Sequence, residues 1–104
     1  MITVICRTQD KAISGFRISG HAGMGVSGQD IVCAAVSSAA YMTANTLTEI
    51  LHLDPAITVE DGLMDVAFDE AIPEAQAILS GFRLHIQALQ EQYPDRVHLM
   101  NTEV

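Results

Sequence analysis

Ile2-Thr-Val-Ile-Cys-Arg-Thr-Gln-Asp-Lys-Ala-Ile-Ser-Gly-Phe-Arg-Ile-Ser-Gly20 is the stretch on which the fold turns. Ile2 to Thr8 is short, apolar and β-branched, the signature of a strand. Gln9, Asp10 and Lys11 form a polar turn, and Ile13 to Gly20 is a second strand with Phe16 and Ile18 on one face. The two strands make a hairpin, so the sheet they found is at least partly antiparallel.

A glycine-rich loop carrying Gly20, Gly23, Gly25 and Gly28 follows, then a helix expected from about Asp30 to Leu51. Ile31, Val32, Ala35, Val36, Ala39, Met42, Leu47 and Ile50 give that helix a broad apolar surface. His52 falls near its C-terminal end, where the helix dipole favours a cation, and Asp54-Pro55 closes it. Ile57 to Glu60, Asp61-Gly62 and Leu63 to Asp69 read as a hairpin with a type I′ turn. Pro73 opens a second helix, where its missing N–H costs nothing. Ala75, Ile78, Leu79, Phe82, Ile86, Leu89 and Tyr93 are its buried stripe, and Gly81 weakens it by about 1 kcal/mol relative to Ala. After Pro94, Arg96 to Met100 is a last strand, followed by a fraying tail. The order β-β-α-β-β-α-β predicts an α/β two-layer sandwich: a mixed, largely antiparallel sheet of about five strands with two main helices. The 104 residues fit a single domain, 1–104.

Composition narrows the function classes. Hydrophobic residues make up 49% of the chain, enough for a core, so disorder is not expected. The formal net charge is −8 with only five Lys and Arg, which removes the cationic surface that direct nucleic-acid binding needs. Acidity serves solubility, or encounter with cationic partners. No apolar run of about 18 residues marks a membrane span, and no signal peptide is evident. Two cysteines, Cys6 and Cys33, are few for a small secreted domain, so a reducing cytoplasm with free thiols is expected.

Chemistry concentrates between Ser19 and Ser37. His21 stands where the second strand ends, and Cys33 falls in the first turn or so of the first helix. A helix N-terminus stabilises a thiolate, and a nearby imidazolium lowers the thiol pKa further. Taken singly, each residue has a plain alternative. Cys33 suits a small buried cysteine in an Ala-rich helix, and His21 an ordinary loop histidine. Asp30 either caps the helix or orients His21 as the acid of a Cys-His-acid arrangement, with Ser27 a rival cap. Val36, Ser37, Ala40 and Ala44 form a mostly small edge beside Cys33, open to close approach of another backbone.

Gly23-x-Gly25-x-x-Gly28 matches a dinucleotide fingerprint, but the preceding strand belongs to a hairpin and the chain is too short for that fold. The histidines and cysteines lack metal-ligand spacing, so neither a metal nor a cofactor is expected. Cys6 reads as a core residue.

Gly20-His21-Ala22 with Gly28-Gln-Asp30-Ile-Val-Cys33-Ala-Ala-Val-Ser37 resembles the signature of the ribosomal-processing cysteine proteases. The resemblance implies a cysteine endopeptidase that removes the N-terminal extension of a bacterial large-subunit ribosomal protein. It implies Cys33 as nucleophile and His21 as general base, with Gly20, Asp30 and Ser37 at supporting positions. It further implies a homodimer without metal, and the composition adds the expectation of a cytoplasmic protein with no membrane partner. The loop Gly23-Met-Gly-Val-Ser27 departs from the aromatic or acidic residues common in that family. Backbone N–H groups at the helix start are the expected oxyanion donors, and the glycine loop an expected lid over the substrate. The competing expectation is a non-catalytic, dimeric acidic module that holds a basic ribosomal protein tail.

Overall fold

The computed structural model describes residues 1–21 and 30–104. Strands β1 (Ile2–Gln9) and β2 (Ala12–Gly20) are followed by helix α1 (Ile31–Asn45). Then come β3 (Ala56–Glu60), β4 (Leu63–Ala67), α2 (Gln76–Gln92) and β5 (Val97–Glu103). The five strands form one sheet in the order β3-β4-β2-β1-β5. All neighbours are antiparallel except β1 and β5, which run parallel. This is the mixed, largely antiparallel two-layer α/β arrangement that the element order implied.

Alternation along β1 places Ile2, Val4, Cys6 and Thr8 in the interior. In β2 a bulge shifts the register between Arg7↔Gly15 and Thr8↔Ile13. Ile13 and Phe16, three apart, are therefore both buried. Phe16 stacks on Phe82 of α2 with ring centroids 4.3 Å apart, which ties the second helix to the centre of the sheet. The stripe of α2 is as expected: Leu79, Phe82, Ile86 and Leu89 are buried, with Ile78 and Tyr93 packed at its margin. A 3-10 turn, Pro73–Ala75, precedes it.

Four expectations need correction. The buried face of α1 is Val32, Val36, Ala40, Thr43 and Ala44, continued by Leu47. Ile31, Met42 and Ile50 are exposed. The small edge beside Cys33 is thus what lets the helix lie close on the sheet. The helix also changes at Thr46–Ile50 into a π-helical turn. There Thr43, Thr46 and Thr48 hydroxyls donate to the carbonyls of Ala39, Met42 and Ala44 at 2.8, 2.8 and 3.2 Å, contacts that perturb the regular ladder. His52, at φ 55°, then turns the chain out of the helix in the left-handed region. The span Ile31–Ile50 is 20 residues and contains an 18-residue window of mean hydropathy 1.2, so it is long and apolar enough to pass as a membrane span by composition. Its packing on the sheet makes it a core helix.

The type I′ signature belongs to the other hairpin: Asp10 and Lys11 have φ of 49° and 73°, whereas only Gly62, at 70°, is positive in the Asp61-Gly62 turn. Finally, the C-terminus does not fray after Met100. Its pairing with β1 runs from Ile2↔Val97 to Thr8↔Glu103, and the Val104 N–H donates to the Thr8 carbonyl at 2.8 Å.

Candidate active site

Gly20 ends β2 with φ 89°, and a Cβ there would overlap the Met1 carbonyl oxygen. Only glycine fits both demands. Its N–H donates to the Gly62 carbonyl at 3.0 Å, which locks the end of β2 to the β3–β4 turn. His21 follows immediately. Its carbonyl accepts from the Met1 amine at 2.5 Å. Its imidazole lies against Gly62, with Nε2 only 3.1 Å from where a Cβ on that glycine would be.

Across from it, α1 begins. Asp30 is the N-cap: one carboxylate oxygen accepts the N–H groups of Val32 and Cys33 at 3.0 and 2.9 Å, and its carbonyl accepts from Ala34 at 3.1 Å. The cap reading of Asp30 is therefore realised. The same bonds occupy the first-turn amides of Val32, Cys33 and Ala34, so the expectation that amides of the helix start hold an oxyanion does not apply to these three. Cys33 is the third helical residue and half-buried, at the positive end of the helix dipole.

A cleft of about 150 Å³ lies between α1 and the β2/β3–β4 end of the sheet. Its walls include Gly20, His21, Cys33 and Ser37, together with Tyr41, Val59, Glu60 and Gly62. The structure thus brings four of the five sequence-predicted residues, Gly20, His21, Cys33 and Ser37, to one place, with Asp30 capping the helix that carries Cys33. Gly62, Tyr41, Val59 and Glu60 went unnoticed in the sequence. The Asp-Gly pair signalled a turn, not its meeting with His21. Ser27 and the glycine loop, with the lid expected there, lie outside the described residues.

Cys6 sits elsewhere, in the interior of the sheet. It is fully buried in β1, and burial pushes its thiol up to about 11, partly offset by the Arg83 charge. At neutral pH it is protonated and shielded, so it is a core residue, as expected. Among the described residues no three His, Cys, Asp or Glu side chains gather as a metal site would require.

A thiol in the first turn of a helix, opening into the same cleft as an imidazole, is the equipment of a cysteine peptidase. Comparison with known proteins names the particular family. The model of the cysteine protease Prp family matches residues 1–98, and the chain belongs to that family. The ribosomal processing cysteine protease Prp of Staphylococcus aureus (strain Mu50) is 30% identical over 103 residues, covering 95% of this chain and 97% of that protein. Its Bacillus subtilis counterpart is 28% identical over 102 residues, covering 91% of each. Among solved structures, the essential S. aureus protease with a covalently linked product peptide superposes with a TM-score of 0.86 at 30% identity, covering 98% of this chain and 100% of that one. A Streptococcus mutans protein gives the same TM-score at 26% identity, covering 100% of this chain and 96% of that one.

Proposed function

We propose that this chain is the cysteine endopeptidase that removes the N-terminal extension of a bacterial large-subunit ribosomal protein, with Cys33 as nucleophile and His21 as general base. The observation that carries the reading is that His21 and Cys33, placed by different elements, line one cleft. The relatives named for ribosomal processing, one of them crystallised with a product peptide, supply the substrate class.

His21 takes the proton of Cys33, aided by the helix terminus that favours the thiolate. The thiolate attacks the scissile carbonyl, the C–N bond breaks as His21 protonates the leaving amine, and a thioester joins Cys33 to the acyl fragment. Water, deprotonated by His21, then releases the carboxylic acid and restores the thiol. Ser37, one helical turn beyond Cys33, lines the same cleft and is assigned a supporting position there. Asp30 acts by fixing the start of α1, and Gly20 by turning the chain so that His21 faces the cleft. The chain works as a homodimer in the cytoplasm, where reducing conditions keep the thiol competent, and the reaction draws on no metal or cofactor.

The test mixes the purified protein with a large-subunit ribosomal protein bearing its extension and follows the mass of the latter. Wild type should remove the extension, while Cys33→Ala and His21→Ala should not. Binding without cleavage by wild type would overturn the protease reading and leave an acidic binding module in its place.

A further inference from the structure

Two rows of side chains cross the helix-facing side of the sheet. In one, Val4, Ile18, Met64 and Val59 are successive cross-strand partners; in the other they are Cys6, Phe16, Val66 and Ile57. Directly opposed residues in an antiparallel pair share a face, so Val59 and Ile57 point toward the helix layer like their partners. Yet burial stops short of them: Met64 and Val66 are 7% and 0% exposed, Val59 and Ile57 52% and 41%. The helices cover the sheet only as far as β4. Beyond it β3 presents a bare apolar strip, and Val59 belongs to that strip and to the cleft holding His21 and Cys33 alike. Tyr41 of α1, itself exposed, stands on the other side of the cleft.

The backbone of β3 is arranged for the same use. A two-residue turn makes Glu60 and Leu63 the closing hydrogen-bonded pair. Hydrogen-bonded and non-bonded pairs alternate along an antiparallel ladder, so Val59 and Ile57 turn their N–H and C=O groups away from β4. The bond from Gly20 to the Gly62 carbonyl is the register this alternation requires on the far side of β4. β3 is the edge of the sheet, and an extended chain can add to such an edge.

We propose that β3 is the docking rail for substrate. An extended, apolar segment adjoining the scissile bond pairs with the backbone at Ile57 and Val59, and its inward side chains lie on the strip between β3 and Tyr41. The inference rests on the protease reading and assigns its specificity to residues outside the His21/Cys33 motif. The occupant is a peptide because the strip runs into the reaction cleft and ends a hydrogen-bonding ladder; a second copy of the chain is the rival occupant.

The experiment uses the full chain and a peptide spanning the extension junction. Ile57→Glu and Val59→Glu should each lower kcat/KM by about tenfold or more, mostly through KM, because a carboxylate replaces the apolar floor. Val59→Thr, which keeps the β-branched shape, should lose less. Leu84→Glu, at a still more exposed apolar residue but on α2, should behave as wild type. The rate of Cys33 alkylation by iodoacetamide should be the same in all, showing an intact nucleophile. Unchanged kcat/KM in Ile57→Glu and Val59→Glu would overturn the rail, as would a loss that accompanies a halved mass in solution, since the strip would then be a subunit interface. If wild type cuts nothing, peptide binding decides separately. Weaker binding by the glutamate variants keeps the rail and ends the protease reading; equal binding ends both.

Discussion

At Gly62 a turn and the His21 side chain make demands on the same atom position. The turn needs φ of 70°, and the His21 imidazole needs the space a Cβ would fill. Alanine there fails on both counts; asparagine meets the first, since it tolerates the left-handed region, but still carries a Cβ. The two effects can therefore be separated. Gly62→Ala should cost roughly 1–2 kcal/mol of stability from the backbone alone, and Gly62→Asn less. Both should lower kcat by a similar factor and slow Cys33 alkylation, because both push the imidazole off its seat. If kcat recovers in the asparagine variant along with its melting temperature, Gly62 serves only the turn. This contact explains why a residue forty-one positions from His21 matters to the site, as no local reading of Asp61-Gly62 could indicate.

The elements were legible where their periodicity was one-sided. In α2 the apolar residues recur on a single stripe, and the sequence located its buried face. In α1 apolar and small residues occur all round the helix, so the pattern could not say that Ala40 and Ala44 face the sheet while Ile31 and Met42 face solvent. The site was legible through its local motif, from Gly20 to Ser37, but its far wall comes from a hairpin whose own sequence speaks only of a turn. β5 is the instructive error. Residues 101–103, polar and close to the end, carry no strand pattern of their own, and parallel pairing with β1 decides the matter. Glu103 contributes to that decision. It accepts from the Asp10 N–H at 2.9 Å and from the Thr8 hydroxyl at 2.8 Å, and these bonds lower its pKa, with the Asp10 bond the larger cause. A folded-state pKa below the unfolded one means stabilisation that is present above the unfolded value and lost as pH falls through the folded one. Glu103→Gln should accordingly lower the melting temperature slightly at neutral pH, the carboxylate being solvent-exposed. The gap to wild type should close as the solution is acidified through the lowered carboxylate range. A gap that stays constant down to that range would mean the charge plays no part.

Over the whole molecule, acidic groups outnumber basic ones, with 13 Asp and Glu against 5 Lys and Arg. Arg7 and Arg17 both pair with Asp65 on the side of the sheet away from the helices, and the chain as a whole carries a formal net charge of −8. Glu60 stands in the cleft wall, with Asp61 exposed beside it. Under the proposed function such a field would draw a basic protein toward the cleft from a distance, but it cannot distinguish one bond from another once the chain is seated. In the proposed mechanism, selection at close range falls to the apolar strip on β3, and bond breaking to Cys33 and His21. These three contributions respond differently to salt. The Debye length is about 10 Å at 0.1 M and about 3 Å at 1 M, so long-range attraction fades across that interval while contacts inside the cleft are little screened. For an intact, basic ribosomal substrate, kcat/KM should fall steeply as salt rises, with kcat nearly constant. For a short, uncharged peptide carrying the same junction, kcat/KM should stay nearly level, because it never sensed the field. Steady-state kinetics on both substrates over the same salt series provides the check. A parallel fall for the two would place the salt effect within the cleft, and the acidity of the surface would then serve solubility alone.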